Sequence, residues 1–304
     1  MPNLITHNYF GKKVKEGLSG KALEIINKAP EAFYLGAIGP DCLFALREIG
    51  SKYKYYPNRM QYTNTLEVFE KTADYLRDNP DDIKFAYMLG MICHYVADFH
   101  FHPYVNYFVE RGFSKYLPAN QQLSIHTLIE SAIDSHICDE KLGIACNKFA
   151  AGTASSAPRK VRLSIGELYE KAINDIFGIY PTKRHISFSF WLTKKFLDIS
   201  VDKKGRKKRF FDKVENIVGG KKKITGLMRP PEGYQKIDYM NRNHLPWLKV
   251  RNGKEYSTMS ADELLEIASE KAVVYIENYL NYVFDKKPLK REDFAVNYEG
   301  VKIY

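Results

Sequence analysis

The sequence predicts an all-α fold, a multi-helix bundle, on three observations. Apolar residues recur three and four positions apart along nearly the whole chain, the spacing of one helix face. No stretch alternates apolar and polar residues over the length of a strand, and no fixed-period repeat appears. Residues 81–101, "DDIKFAYMLGMICHYVADFHF", are apolar on nearly every side, which marks a central, buried helix. Hydrophobic residues make up 45% of the 304, enough for a core and too many for a disordered chain. One domain, 1–304, is expected.

Along the chain, residues 20–39, "GKALEIINKAPEAFYLGAIG", read as a helix, a break at Pro30, and a short helix closed by Gly39. "TNTLEVFEKTADYLRDN" predicts a helix capped by Asn64 or Thr65. The central helix should stop at Pro103, because the residue before a proline avoids the α region. Residues 120–143, "NQQLSIHTLIESAIDSHICDEKLG", are amphipathic and predict one helix. Residues 149–160, "FAAGTASSAPRK", are small and polar and read as a connector. Helices resume at "SIGELYEKAINDIFG" and "HISFSFWLTKKFLDIS". A turn-rich section follows over residues 219–256. The last helix, "SADELLEIASEKAVVYIENYLNYVFD", has Ser260 as N-cap and Glu263 at N3, the spacing of a capping box.

The start of the chain has no apolar leader, and no stretch approaches the eighteen or so apolar residues of a membrane span. A cytoplasmic location is expected. Cys42, Cys93, Cys138 and Cys146 form no CxxC pattern and read as reduced thiols. The formal net charge is +10, much of it in "KKGRKKR", residues 203–209, and "GGKKK", residues 219–223. These runs are expected to be solvated loops, since aromatics do not interleave with them as a base-stacking platform requires. Anionic lipid and nucleic acid are the alternative partners.

One constellation stands out. His94, Asp98 and His102 are spaced i, i+4 and i+8. On a helix they drift only about 80° and share a face. His100 lies about 240° round from His94 and points elsewhere. A second helix repeats the pattern with His126, Glu130 and Asp134. Facing helices that each present histidine and carboxylate build metal sites in bundle cores, and zinc accepts both ligand types. Both stripes sit in apolar sequence, where unpaired polar groups are costly and a cation relieves the cost. The competing reading is a set of core polar residues hydrogen-bonded among themselves. Asp134 reads as a ligand, as an acceptor orienting a ligand imidazole, or as a surface residue. His7 in "LITHNYFG" and Asp41 in "AIGPDCLF" join by residue type.

These residues resemble a known family. "HYVAD…HP" followed by "HTLIESAID", with the early "ITHNYFG", the "GPD" turn and the later "NRNHLPW", is similar to the zinc-dependent phospholipase C family, in its uncharacterised bacterial branch. That family shares its all-helical fold with single-strand-specific nucleases. The resemblance implies one to three zinc ions. His102, His126 and Glu130 would hold one, and Asp41, His94 and Asp98 a second. Asp98 would bridge to a third, shared with His7. It also implies a water or hydroxide between two ions attacking phosphorus in line, with Asp41 as general base, and a phosphodiester substrate such as a phospholipid. The chain departs from the pattern in three places. No histidine lies between residues 42 and 93, where the family has a further ligand, so Gln61 or Tyr62 would fill that space. The chain begins Met-Pro, and Cys42 follows Asp41 where secreted members carry an aromatic residue. A metal-binding member without catalysis and a nuclease-like phosphodiesterase are the alternatives.

The remaining candidates carry less. His136 reads as helix surface or ligand support, His185 as a cap or exposed residue, and Trp247, near His244, as a packing anchor. "GLSGK" is too short for a phosphate-binding loop, and no nucleophile-elbow serine or cysteine–histidine pair is suggested.

Overall fold

The computed structural model describes residues 4–111, 125–154, 156–217, 230–231, 233–249, 254–285 and 287–303, and most of these are helical. The first helices are α1 (Leu4–Gly17), α2 (Gly20–Lys28) and α3 (Pro30–Ile38). Pro30 sits in the first turn of α3, where its missing N–H costs nothing. A 3₁₀ turn, Gly39–Leu43, then carries Asp41 and leads into α4 (Phe44–Glu48), α5 (Tyr56–Tyr62) and α6 (Thr65–Asp78). Asn64 precedes α6 in a left-handed conformation, but its side chain does not cap the helix. It donates instead to the Ile176 carbonyl, 3.4 Å away.

The central helix, α7 (Asp82–Arg111), packs against α1, α2 and α3. Its fit against α3 depends on two glycines. A β-carbon on Gly36 would lie 2.1 Å from the Tyr87 carbonyl oxygen, and one on Gly90 would lie 2.1 Å from that of Phe33. The two backbones therefore touch directly, which no other residue permits.

Pro103 does not end α7. A proline inside a helix costs about 3 kcal/mol. Beyond it, Tyr104, Val105 and Phe108 are all buried, each contributing roughly 2 kcal/mol. The Tyr104 hydroxyl also donates to the Tyr239 carbonyl at 2.6 Å. Packing overrides the local preference and carries the helix two turns further.

The chain continues with α8 (Ile125–His136), which passes into a π-helical turn, Ile137–Leu142, and not the single α-helix expected. The expected connector is packed: α9 (Ala151–Ala154) sits against the later helix α12, and Ala151 and Ala157 are buried. Next come α10 (Arg159–Leu168), a π turn over Tyr169–Ile173, α11 (Asn174–Phe177) and α12 (Lys183–Ser200). His185 closes a capping box with Thr182 at the start of α12, as a cap.

The basic run 203–209 is not all loop, because α13 (Arg206–Ile217) begins inside it. The Asp202 carboxylate accepts from the Lys208 N–H at 2.8 Å, so an anion sits at the helix start where cations are unfavourable. The run at 219–223 lies outside the described residues. In the turn-rich section, β1 (Trp247–Leu248) and β2 (Tyr256–Ser257) form a two-residue antiparallel ladder, Trp247 opposite Ser257. Trp247 is a packing anchor, buried edge-on against Tyr104 with its indole N–H on the Met259 carbonyl. Helix α14 (Ala261–Phe284) starts with the Ser260–Glu263 capping box. No described helix is long and apolar enough to cross a membrane.

Candidate metal centre

Three elements converge on one face of α7. Helix α1 brings His7, fully buried. Its first turn is held by Asp134 of α8, whose carboxylate accepts from the Thr6 N–H at 2.9 Å and the Thr6 hydroxyl at 2.7 Å. Asp134 is thus buried and not a surface residue, and it fastens the element that carries His7. The 3₁₀ turn brings Asp41. Gly39 has φ +60°, and a β-carbon there would lie 2.5 Å from the His94 ring. Only glycine lets that imidazole rest on the turn backbone.

The first cluster is His7, Asp41, His94 and Asp98. His7 Nε2 lies 3.1 Å from Asp98 Oδ1, and His94 Nε2 lies 3.1 Å from Asp98 Oδ2. Asp41 Oδ1 is 3.8 Å from His94 Nε2. The two imidazoles stack with centroids 4.3 Å apart. His94 Nδ1 donates to the Ala37 carbonyl, which leaves Nε2 as the bare nitrogen of the neutral ring. In that neutral form the nitrogen and the Asp98 carboxylate repel unless a proton or a metal cation lies between them. Among the described residues, seven buried side-chain polar atoms have no hydrogen-bond partner, and five belong here: both nitrogens of His7, His94 Nε2 and both oxygens of Asp98. Buried polar atoms are rarely left so, and a metal ion satisfies them. One ligand atom each from His7, Asp41 and His94 lie within 4.8 Å of one another, a set that could hold an ion.

The charge balance agrees. Burial pushes His7 down to about 4, so it stays neutral. Burial also opposes the charged form of His94, but Asp98 and Asp41 outweigh it and raise that imidazole. Burial drives Asp41 well above the carboxylate range, with Asp98 and Glu130 adding to the effect. Asp98 is held well below it by His94 and His102, against burial. Asp98 is thus the carboxylate of this cluster that stays ionised, with His94 as the group that balances it.

The second cluster is His102, His126 and Glu130, whose ligand atoms also fall within 4.8 Å of one another. His102 Nδ1 donates to the Tyr298 carbonyl at 2.6 Å, so Nε2 is the unprotonated nitrogen of the neutral ring. His126 Nε2 and Glu130 Oε1 are 2.6 Å apart. Burial opposes ionisation of Glu130, yet His126 holds its carboxyl down at about 2. His126 is the exposed member, at 38%, which opens this cluster to solvent.

Gln61 lies at the edge of the first cluster. Its amide donates to Asp41 Oδ1 at 2.9 Å. Tyr62 next to it is about half exposed. The C-terminal segment was not foreseen. Tyr298 is buried 5.6 Å from the His94 ring, and Glu299 Oε1 lies 3.5 Å from His102 Nδ1. Nothing in helical periodicity points to residues beyond the last helix, and only the positive-φ Gly300 hints at a turn there.

The other histidines stay outside. His100 donates from Nδ1 to the Val96 carbonyl of its own helix. His136 contacts Glu140, and His244, with φ 52°, contacts the Thr258 carbonyl. Cys42 and Cys93 are buried, which pushes both thiols up and makes them inert.

The family model described as zinc-dependent phospholipase C matches residues 6–183. No curated protein and no solved structure matches the chain. The matched stretch contains His7, Asp41, His94, Asp98, His102, His126 and Glu130, while Tyr298 and Glu299 lie beyond it. With both buried clusters inside a match that covers more than half of the chain, this protein belongs to the zinc-dependent phospholipase C family.

Proposed function

We propose that this protein is a zinc-dependent phosphodiester hydrolase of phospholipase C type, acting on a phospholipid. The observation that carries the reading is the group of five unpartnered atoms on His7, His94 and Asp98, buried beside a carboxylate pushed far up. His102, His126 and Glu130 would hold one zinc; Asp41, His94, Asp98 and His7 would hold the remainder, with Asp98 shared. Zinc, when bound, polarises the phosphoryl oxygen and lowers the pKa of water from about 16 toward 7.

The chain's own residues do the rest. Gln61 occupies Asp41 Oδ1, leaving Oδ2 to take the proton of the attacking water. Burial gives that carboxylate its high proton affinity. The Ala37 and Tyr298 carbonyls fix which nitrogen His94 and His102 present. The exposed edge of His126 marks the side from which substrate enters.

A second reading has one observation in its favour. An amide replaces the expected histidine, so the ion beside Asp41 binds weakly and the protein retains metal without turnover. Hydrolysis of bis-p-nitrophenyl phosphate separates the two. Little turnover is expected as purified, a rise with micromolar zinc, and no rise in Asp41→Asn. Absence of turnover on this ester, on phospholipid and on single-stranded nucleic acid at saturating zinc would establish the second reading.

A further inference from the structure

Helix α12 has two working faces. Its inner face grips the turn that carries Asp41: the Ser189 and Thr193 hydroxyls both donate to the Cys42 carbonyl, at 2.5 and 2.9 Å. Its outer face carries Arg184, Phe188, Trp191, Lys195 and Ile199, spaced i, i+4, i+7, i+11 and i+15. That spacing is one straight helix stripe. Phe188, Trp191 and Ile199 are 44%, 40% and 56% exposed, unusual for side chains of this size on one face. Phe188 and Trp191 stack on each other with centroids 5.6 Å apart, so neither is held by the core. Lys195 lies over the Trp191 ring.

Beside this stripe, α10 and α12 enclose an open cavity of about 370 Å³. Three arginines line it, Arg159, Arg162 and Arg184, together with Leu163 and the two aromatics. Among the described residues no carboxylate lines it. Arg162 is tied to the Ala157 and Ser187 carbonyls, and burial and Arg159 both depress its pKa. Arg159 and Arg184 form no ion pair among the described residues. The nearest carboxylate on the helix, Asp198, is already paired with Lys194 at 2.7 Å. Three guanidinium groups around one cavity repel unless an anion joins them, and guanidinium is the side chain best suited to phosphate oxygens.

From this juxtaposition we propose that the α10–α12 face docks on an anionic lipid bilayer, with the three arginines receiving headgroup phosphates and Phe188, Trp191 and Ile199 entering the interfacial layer. Tryptophan at headgroup depth, apolar neighbours below and cations around them is the composition of interfacial binding surfaces. Charge complementarity selects the lipid bilayer over a protein groove, because every charged group lining the cavity among the described residues is cationic and the chain carries +10 overall. The proposal rests on the phospholipid reading of the metal centre, and it places the bilayer against the helix whose other face holds the Asp41 turn.

The test is co-sedimentation of the full chain with vesicles of phosphatidylglycerol and phosphatidylcholine, against vesicles of phosphatidylcholine alone. The chain has two tryptophans, and Trp247 is buried, so a blue shift of emission reports Trp191. Binding to the anionic vesicles with a blue shift is expected, weakening steeply as salt rises to 0.1 M, where screening acts within about 10 Å. The double variant Arg159→Gln/Arg184→Gln should lower the affinity roughly 30-fold, two cations' share of surface attraction. Phe188→Ser should reduce binding and the shift together; both sets of positions are exposed, and circular dichroism confirms folding. No binding at low salt, or binding that neither variant changes, overturns the proposal. So does self-association of the native protein that Phe188→Ser abolishes, which would assign the face to a second copy. Vesicle binding without any phosphodiester cleavage would support the docking and refute the hydrolase reading; cleavage of a soluble ester without vesicle binding would do the reverse.

Discussion

Asp98 is the residue on which the candidate centre turns. Its two oxygens point at different imidazoles, His7 and His94, and neither makes an aligned hydrogen bond. On the proposed reading a carboxylate so placed would serve two ions, whereas Asp41 has the Gln61 amide as a substitute partner. Asp98→Asn should therefore lose more zinc per chain than Asp41→Asn when both are dialysed and measured by plasma emission. Equal losses would show that Asp98 serves one ion or none. His126→Ala should remove about one zinc per chain, because it breaks the three-ligand set and leaves the first cluster whole. Unchanged zinc content in that variant would remove the second cluster from the centre.

At the scale of elements, contacts between helices decide what local sequence leaves open. Gly90 is the clearest case, since a β-carbon there would meet the Phe33 carbonyl oxygen at 2.1 Å. Gly90→Ala should force α3 and α7 apart and lower stability by about 3 kcal/mol, the upper end of overpacking costs. It should also weaken zinc binding, because α3 leads directly into the Asp41 turn. Thermal melting and zinc titration check both parts; a variant as stable as the parent would refute the backbone contact. A second tie joins the π turn after α8 to the loop before α14. The Arg242 guanidinium bonds Glu140, Nη1 to Oε1 at 3.0 Å, and also reaches Asp262. Arg242, with help from His136, holds the Glu140 carboxyl down at about 2, against 4.5 for the free group. The folded state thus keeps Glu140 ionised where the unfolded chain protonates it. The resulting stability is full above pH 4.5 and is lost as pH falls toward 2. Glu140 is partly exposed, so the increment is about 1 kcal/mol or less. Glu140→Gln should make the acid limb of a urea-melting profile shallower between those values, and an unchanged limb would show that the pair contributes nothing.

For the whole molecule, periodicity and composition were sufficient to establish the all-α class, the buried central helix, the break at Pro30 and the Ser260–Glu263 cap. Each rests on residues within a turn or two of one another, where spacing alone sets which face is apolar. The stripes His94–Asp98–His102 and His126–Glu130 were legible for the same reason, and His7 and Asp41 joined them by residue type, with roles that the family resemblance implied. What spacing could not supply was distance between elements. Only the tertiary structure sets His7 3.1 Å from Asp98, through the Asp134 anchor on α1, and places the Gln61 amide on Asp41. Only packing carries α7 past Pro103, since burial beyond the proline outweighs the hydrogen bond it forfeits. The connector at 149–160 and the basic run at 203–209 hold more order than their composition predicts, through burial of Ala151 and the Asp202 anion at the start of α13. The return of Tyr298 and Glu299 to His102 spans nearly two hundred residues, and a contact of that range leaves no trace in local periodicity.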